Sequence, residues 1–160
     1  MAKPTSTKLS NIICKSAPND TNVLMGGTYL AMEGPQFSSY AESELYRSWN
    51  CDVIGMTNMP EAKLAREAEI AYSTIAMVTD YDCWHPEHEN VTVDNIIKIL
   101  NTNSNKAKEL VNNVIENINK HEWDFDDPAY KALDNAIITP PEARPSKALK
   151  KISNIAKRLL

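Results

Sequence analysis

Glycine is scarce in this chain, with 4 among 160 residues, so each one marks a place where the backbone needs unusual freedom. Cysteine is scarce too. Cys14, Cys51 and Cys83 are odd in number and widely spaced, and no CxxC pair occurs. That argues against a disulfide framework and points to a reducing compartment, the cytoplasm. Long apolar runs are missing, so no membrane partner is expected. The first residues lack a basic stretch followed by an apolar one, so no secretory signal is expected either. Positive charge is not in excess: 17 Lys and Arg face 21 Asp and Glu, for a net charge of −4. A nucleic-acid partner bound through its phosphates would need the opposite balance. What is present is 42% hydrophobic and 24% charged residues, the make-up of a soluble globular domain. The length suits one domain, residues 1–160, with a core of its own.

The pattern along the chain alternates between helix and strand. Thr5 or Ser6 caps a first helix with Leu9, Ile12 and Ile13 on one face, ended by Pro18-Asn19-Asp20. Asn22 to Met32 reads as extended, with a bend or bulge at Gly26-Gly27. Ser39 followed by Glu42 is a capping box, opening a helix whose apolar face is Ala41, Leu45, Tyr46 and Trp49. Cys51 to Met56 is a short strand. Asn58-Met59-Pro60-Glu61 starts another helix, carrying Ala62, Leu64, Ala65 and Ala68. Ile70 to Val78 reads as a third strand, buried on both faces. Thr92 caps a long helix with a buried stripe of Ile96, Ile97, Leu100, Ala107, Val111, Val114, Ile115 and Ile118. After a loop from His121 to Asp127 comes a short helix near Ala129 to Ala136. A stiff linker with Pro140, Pro141 and Pro145 follows, then a helical tail from Ser146 with Ala148, Leu149, Ile152, Ile155 and Leu159 on one side. The fold class is therefore α/β, a mixed sheet flanked by helices. About three strands are few for such a sheet. Met1-Ala2-Lys3-Pro4 reads like the end of a strand, so the domain is expected to be incomplete at its N-terminus.

Four segments carry candidate chemistry. Thr79-Asp80-Tyr81-Asp82 stands at the carboxyl end of the expected third strand, where open α/β sheets place ligands. Carboxylates at i and i+2 of an extended chain point the same way, and a buried one can hold a proton for donation. The alternative is a polar loop whose aspartates cap turns. Asp80, Asp82, His85 and His88 have ligating side chains. However, their spacing matches no standard zinc site and His-Glu-x-x-His is absent, so an exposed loop is the better account. In Glu33-Gly34-Pro35-Gln36-Phe37-Ser38-Ser39, Phe37 can stack on a flat ring and Ser38 can hydrogen-bond its edge, unless Phe37 is simply core. Gly55-Met56-Thr57-Asn58 precedes a helix, where amides favour anions and Thr57 adds a hydroxyl. Plain capping by Asn58 explains it as well. The three cysteines and Trp49, Trp84 and Trp123 read as packing.

Taken together, Glu33–Ser39, Ala41-Glu42-Ser43, Asp52-Val-Ile-Gly-Met-Thr57, Pro60-Glu61, Leu64-Ala65 and Ala76–Trp84 resemble the 5′-methylthioadenosine phosphorylases. These form a branch of the trimeric purine nucleoside phosphorylase family. The order and spacing match from Met1 through the helix after Thr92, while the tail beyond His121 is less diagnostic. The resemblance implies attack of phosphate on C1′ of methylthioadenosine, releasing adenine and 5-methylthioribose 1-phosphate. It assigns Asp80 as the catalytic group at purine N7 and Asp82 as acceptor from the 6-amino group. An acceptor there disfavours a 6-oxopurine. Relatives that prefer 6-oxopurines carry Asn at the position of Asp80 and Glu at that of Ser38, so Asp80 and Ser38 imply the 6-aminopurine branch. Phe37 matches the aromatic on the base, Met56 the residue beside the ribose, Thr57 a phosphate ligand, and Val93 and Ile96 the lining of the methylthio pocket. Gly55 and Gln36 stand where some relatives have Asn and Arg, and take no role.

The resemblance also implies a homotrimer for the full-length protein, and no metal or organic cofactor, inorganic phosphate being a co-substrate. The family's N-terminal half supplies a glycine-containing loop, an Arg-His pair and a further Thr for phosphate and ribose, and these are not in this sequence. The 160-residue chain alone is therefore expected to turn over little or no substrate. Two alternatives stand beside the main reading: a related phosphorylase of other nucleoside preference, and a non-catalytic purine-binding remnant.

Overall fold

A computed structural model describes residues 1–85, 93–120, 126–156 and 158, with residues 93–96 described by backbone only. The elements run α1 (Thr7–Lys15), β1 (Tyr29–Ala31), α2 (Tyr40–Ser48), β2 (Val53–Gly55), α3 (Met59–Glu67), α4 (Val93–Lys120) and α5 (Ser146–Ile152). Short 3₁₀ turns lie at Asp82–Trp84, Pro128–Lys131 and Pro141–Ala143. The chain divides into two compact units, one of residues 1–10, 59–74 and those described from 126 on, the other of residues 11–58, 75–85 and 93–120.

In the second unit β1 and β2 pair in parallel, with Tyr29 opposite Val53, Leu30 opposite Ile54 and Ala31 opposite Gly55. Parallel neighbours need a crossover, and α2 provides it. Gly26 and Gly27 have φ of 87° and 115°, a bend that delays β1 until Tyr29. Asp52 then fixes the register: its backbone N–H donates to Thr28 O (2.9 Å) and its carboxylate accepts from Thr28 N–H (2.6 Å). At Gly55 a Cβ would overlap the Tyr29 hydroxyl, so a larger residue there needs that ring to shift. The α4 helix braces the rest of this unit. Asn113 donates to Ser16 O (3.0 Å), Asn117 to Ser16 Oγ (2.7 Å), Lys106 pairs with Asp20 (3.1 Å), and Asn103 donates to Val78 O (3.1 Å). Lys106 holds the Asp20 carboxyl below its ordinary range.

In the first unit Ser6, the cap expected for α1, accepts from Leu9 N–H (3.0 Å) and donates to the buried Asp127. Asp127 Oδ1 in turn caps Ala129 N–H (2.8 Å). Ala62, Ala129 and Ala156 are its buried apolar residues.

Four expectations change. Ile70 to Val78 is not a strand: a strand exists only beside a partner, and none runs along it among the described residues. The helix near Ala129 to Ala136 shortens to the 3₁₀ turn Pro128–Lys131 and further turns, because Leu133 N–H is taken by the Glu69 carboxylate (3.0 Å) rather than by the carbonyl one turn back. The apolar stripe of α4 is only partly covered: Leu110 is buried, but Ile97, Leu100, Val111 and Ile115 stay exposed. The apolar face of α2 is likewise open at Leu45 and Trp49, where the buried residue is Ser43. Thr92, His88, Trp123 and Leu159 lie outside the described residues, as does most of the His121–Asp127 loop.

Candidate active site

Both strands end, at their carboxyl ends, in the segments that the sequence singles out. That is where parallel α/β sheets bind ligands. β1 runs into Met32 and the Glu33–Ser39 loop, tied back by Met32 N–H to Gly55 O (2.8 Å). β2 runs into Met56, Thr57 and Asn58. The two loops touch, since a Cβ at Gly34 would meet the Met56 methyl, and Gly34 sits at φ 78°, a conformation that favours glycine. The Gly34–Pro35 peptide is cis.

The loop then enters α2 through the expected capping box. Ser39 Oγ accepts from Glu42 N–H (3.4 Å), and Glu42 Oε2 accepts from Ser39 N–H (2.7 Å). The Ser39 backbone N–H, and after it the Ser39 hydroxyl, which donates to the same oxygen (2.8 Å), hold the Glu42 carboxyl below its usual range. Phe37, just before the cap, is 82% exposed and is therefore not core. Ser38 has the opposite character: its hydroxyl oxygen is buried and has no hydrogen-bond partner among the described residues. An unpaired buried hydroxyl costs about 1–3 kcal/mol.

The third segment is the turn after Val78. The extended geometry expected for Asp80 and Asp82 does not hold, because Asp82 adopts φ 60° and begins the 3₁₀ turn. Asp80 is exposed rather than buried. Its Oδ1 accepts from Asp82 N–H (2.9 Å) and its Oδ2 from Thr79 Oγ (2.7 Å), the turn-capping role that aspartate plays in loops. Asp82 is half-buried, and its Oδ2 accepts from Ser43 Oγ on α2 (2.7 Å). The thiol of the next residue, Cys83, donates to Ser38 O at 3.8 Å, which brings this turn against the Phe37–Ser38 loop.

Of the expected site segments, then, the Asp80–Asp82 turn meets the Phe37–Ser38 loop at the Cys83–Ser38 contact and α2 at the Asp82–Ser43 bond, and the Met56 methyl lies beside Gly34. Thr57 is exposed at the end of β2, one residue before Asn58, which is buried at φ 81° and precedes α3. Val93 and Ile96 fall in the first turn of α4, where side chains are outside the description. Among the described residues no group of three or more His, Cys, Asp or Glu is arranged to hold a metal ion. Sequence reasoning missed Ser43, Arg47 and the linking role of Cys83. Arg47 lies over the Trp84 ring (3.8 Å to its centre), and Tyr81 and His85 pack beside it. No local signal marks these residues, since their partners are 37 to 45 positions away.

Comparison with known proteins follows the same segments. The family model described as the phosphorylase superfamily matches residues 1–116. The S-methyl-5′-thioadenosine phosphorylase of Rhodospirillum rubrum is 56% identical over 135 residues, covering 84% of this chain and 46% of that protein. That of Bradyrhizobium diazoefficiens is 50% identical over 161 residues, covering 100% and 55%, so the similarity extends through the tail. Among solved structures, a methylthioadenosine phosphorylase from an antarctic soil metagenomic library superposes with a TM-score of 0.86 at 39% identity, over 97% of this chain and 55% of that one. The Schistosoma mansoni enzyme in complex with adenine gives 0.71 at 31% identity, over 83% and 52%. The chain spans about half the length of the relatives it matches.

Proposed function

Because the chain belongs to the phosphorylase superfamily, we propose that residues 1–160 are one phosphorylase domain, carrying the purine-reading part of an S-methyl-5′-thioadenosine phosphorylase, a pentosyltransferase. The supporting observation is the contact of Cys83 with Ser38 O, which sets the Asp80–Asp82 turn beside the Phe37–Ser38 loop. In this reading a purine ring lies on Phe37, whose exposed face is available for stacking. The ring edge meets Ser38, Asp80 and Asp82. A small shift of the loop onto that edge gives the Ser38 hydroxyl the partner it lacks.

The chemistry assigned to this edge is leaving-group activation. Phosphate attacks C1′ of methylthioadenosine, the bond from C1′ to the base breaks, and its electron pair passes into the adenine ring. Asp80 supplies a proton or a hydrogen bond at N7, so the charge developing on the base is neutralised in the transition state. Asp82 accepts from the 6-amino group. The same oxygen would meet lone pair to lone pair with a 6-oxopurine, which disfavours that base. Met56 lies along the ribose, Thr57 contacts phosphate, and Val93 and Ile96 line the methylthio pocket, where an apolar wall favours the thioether over a hydroxyl by about 1–3 kcal/mol. Phosphate is a co-substrate and no cofactor is required. The full-length protein is a homotrimer in the cytoplasm, a placement in keeping with three free cysteines. Among the described residues no helix is long and apolar enough to cross a membrane.

Calorimetric titration with adenine, and an adenine-release assay with methylthioadenosine, inosine and phosphate, test the proposal. The expected result is adenine binding with little turnover, because Thr57 is the one phosphate ligand assigned in this sequence. Failure to bind adenine overturns the purine reading. Preference for inosine overturns the specificity. Turnover near that of a full-length relative overturns the expected inactivity.

A further inference from the structure

Ser43 sits in the middle of α2, is 2% exposed, and is the largest fully buried side chain among the described residues. A buried hydroxyl on an amphipathic helix is unfavourable unless it is bonded, and an alanine would suit helix and burial better. Its partner explains it. Ser43 Oγ donates to Asp82 Oδ2 at 2.7 Å, across 39 residues of sequence. One turn further on the same face of α2, the Arg47 guanidinium lies 3.8 Å from the centre of the Trp84 ring, while Glu44 pairs with that guanidinium from the side (2.7 Å). One rigid helix thus grips the turn at both ends, Asp82 by its carboxylate and Trp84 by its ring. The turn needs that grip. Asp82 holds φ 60°, a conformation a non-glycine residue keeps only when its surroundings fix it.

The bond also decides which oxygen is available. With Oδ2 taken by Ser43, Oδ1 has no hydrogen-bond partner among the described residues. A serine hydroxyl has one proton, and it is given to the carboxylate. The other carboxylate oxygen, Oδ1, is then the one turned to whatever the turn meets. We propose that Ser43 is a positioning residue that aims the free oxygen of Asp82, so that preference for a 6-aminopurine over a 6-oxopurine depends on a helix residue that touches no ligand. This rests on the assignment of Asp82 to the purine edge, and it extends that assignment to the group behind it.

The test is the ratio of adenine to hypoxanthine affinity, measured by calorimetry on the 160-residue chain and on its Ser43→Ala and Ser43→Cys variants. Alanine removes the donor, and cysteine keeps a weak donor of similar size. The expected result is a loss of about tenfold in the ratio for Ser43→Ala, the size of one hydrogen bond to a charged group, with Ser43→Cys in between. A brace with no aiming role weakens both bases equally, and an unchanged ratio overturns the proposal. If Ser43→Ala does not fold, the ratio in Ser43→Cys decides: a fall supports the proposal and no change overturns it. A wild-type chain that binds neither base overturns the purine reading itself, and the positioning role with it. In that case the ¹³Cγ resonance of Asp82 separates the two failures. A displacement in Ser43→Ala shows that the contact exists but serves the turn alone.

Discussion

Around Glu69 and Asp127 the polar groups answer one another. Arg158 reaches Glu69 at 2.5 Å and Asp134 at 2.6 Å, Glu69 also takes Leu133 N–H, and Asp127 takes both Ser6 and Ala129. Around Ser38 and Asp82 the pattern is different. Among the described residues the Ser38 hydroxyl is buried without a partner and Asp82 keeps one oxygen open, and Phe37 is 82% exposed. Both regions are built from the same residue types. They differ in whether the valences close within the chain. Closed clusters join segments distant in sequence, whereas open ones leave hydrogen-bonding capacity for something that is not protein. That contrast, more than the identity of any residue, sets the edge proposed to read a purine apart from the scaffold.

The sharpest way to break the contrast is Asp80→Asn. If the open edge reads a purine, the amide changes what is read. It cannot release a proton to N7, and its NH₂ donates toward a 6-oxo group. The adenine to hypoxanthine affinity ratio is expected to fall by about 100-fold, since discrimination by polar complementarity is of this order or larger. An unchanged ratio would return Asp80 to a turn cap and nothing more. On the closed side, Ser6→Ala leaves the buried Asp127 carboxylate with Ala129 N–H alone. This is expected to cost about 1–3 kcal/mol in a denaturant titration, without a matching loss of adenine affinity. A large drop in adenine affinity would show that the closed cluster serves the site as well.

Local chemistry is what the sequence made legible. The Ser39–Glu42 box, the Ser6 cap, the strand at Val53–Gly55 and the bend at Gly26-Gly27 each depend on residues within a few positions, and each stands in the structure. The choice of Phe37, Ser38, Met56, Asp80 and Asp82 came from the resemblance; the structure sets the turn that carries Asp80 and Asp82 against the loop that carries Phe37 and Ser38, with the Met56 methyl beside Gly34. What could not be read was set by distant partners. Ile70 to Val78 has strand composition but no neighbour. The faces of α2 and α4 have amphipathic spacing but incomplete cover. The direction of Asp82 turns on a positive φ that no local rule announces, and Ser43 looks like any mid-helix serine until Asp82 is placed against it.

Phe37→Ala offers a smaller but cleaner measurement. An exposed ring contributes little to the fold, so thermal unfolding is expected to be unchanged. Stacking of a base on an aromatic is worth about 1–3 kcal/mol, so adenine affinity is expected to fall about tenfold. Equal affinity in wild type and variant would mean that the ring faces solvent in the complex too.

The smallest expected effect belongs to the closed side and concerns acid. Arg158 holds the Glu69 carboxyl below the ordinary glutamate range, chiefly by direct hydrogen bonding and secondarily with help from Leu133 N–H, and the same pair raises the guanidinium above its usual value. A group whose pKa is depressed on folding takes up its proton first in the unfolded state. The stability it contributes is therefore complete above the ordinary range, near pH 5, and is lost as the pH falls through the depressed value. In Arg158→Met that contribution is largely gone, so a small loss of stability is expected near neutrality, acid unfolding followed by circular dichroism is expected to begin at higher pH, and the gap to wild type is expected to close as the pH falls through the depressed value. Arg158→Lys, which keeps the charge but not the fork that spans Glu69 and Asp134, is expected to fall between. With Arg158 about half exposed, solvent and salt screen the pair, and 0.5 M salt should narrow the gap between wild type and variant. If the three proteins unfold at the same pH, the cluster around Glu69 is not closed in solution, and the contrast with the open edge at Asp82 loses its structural half.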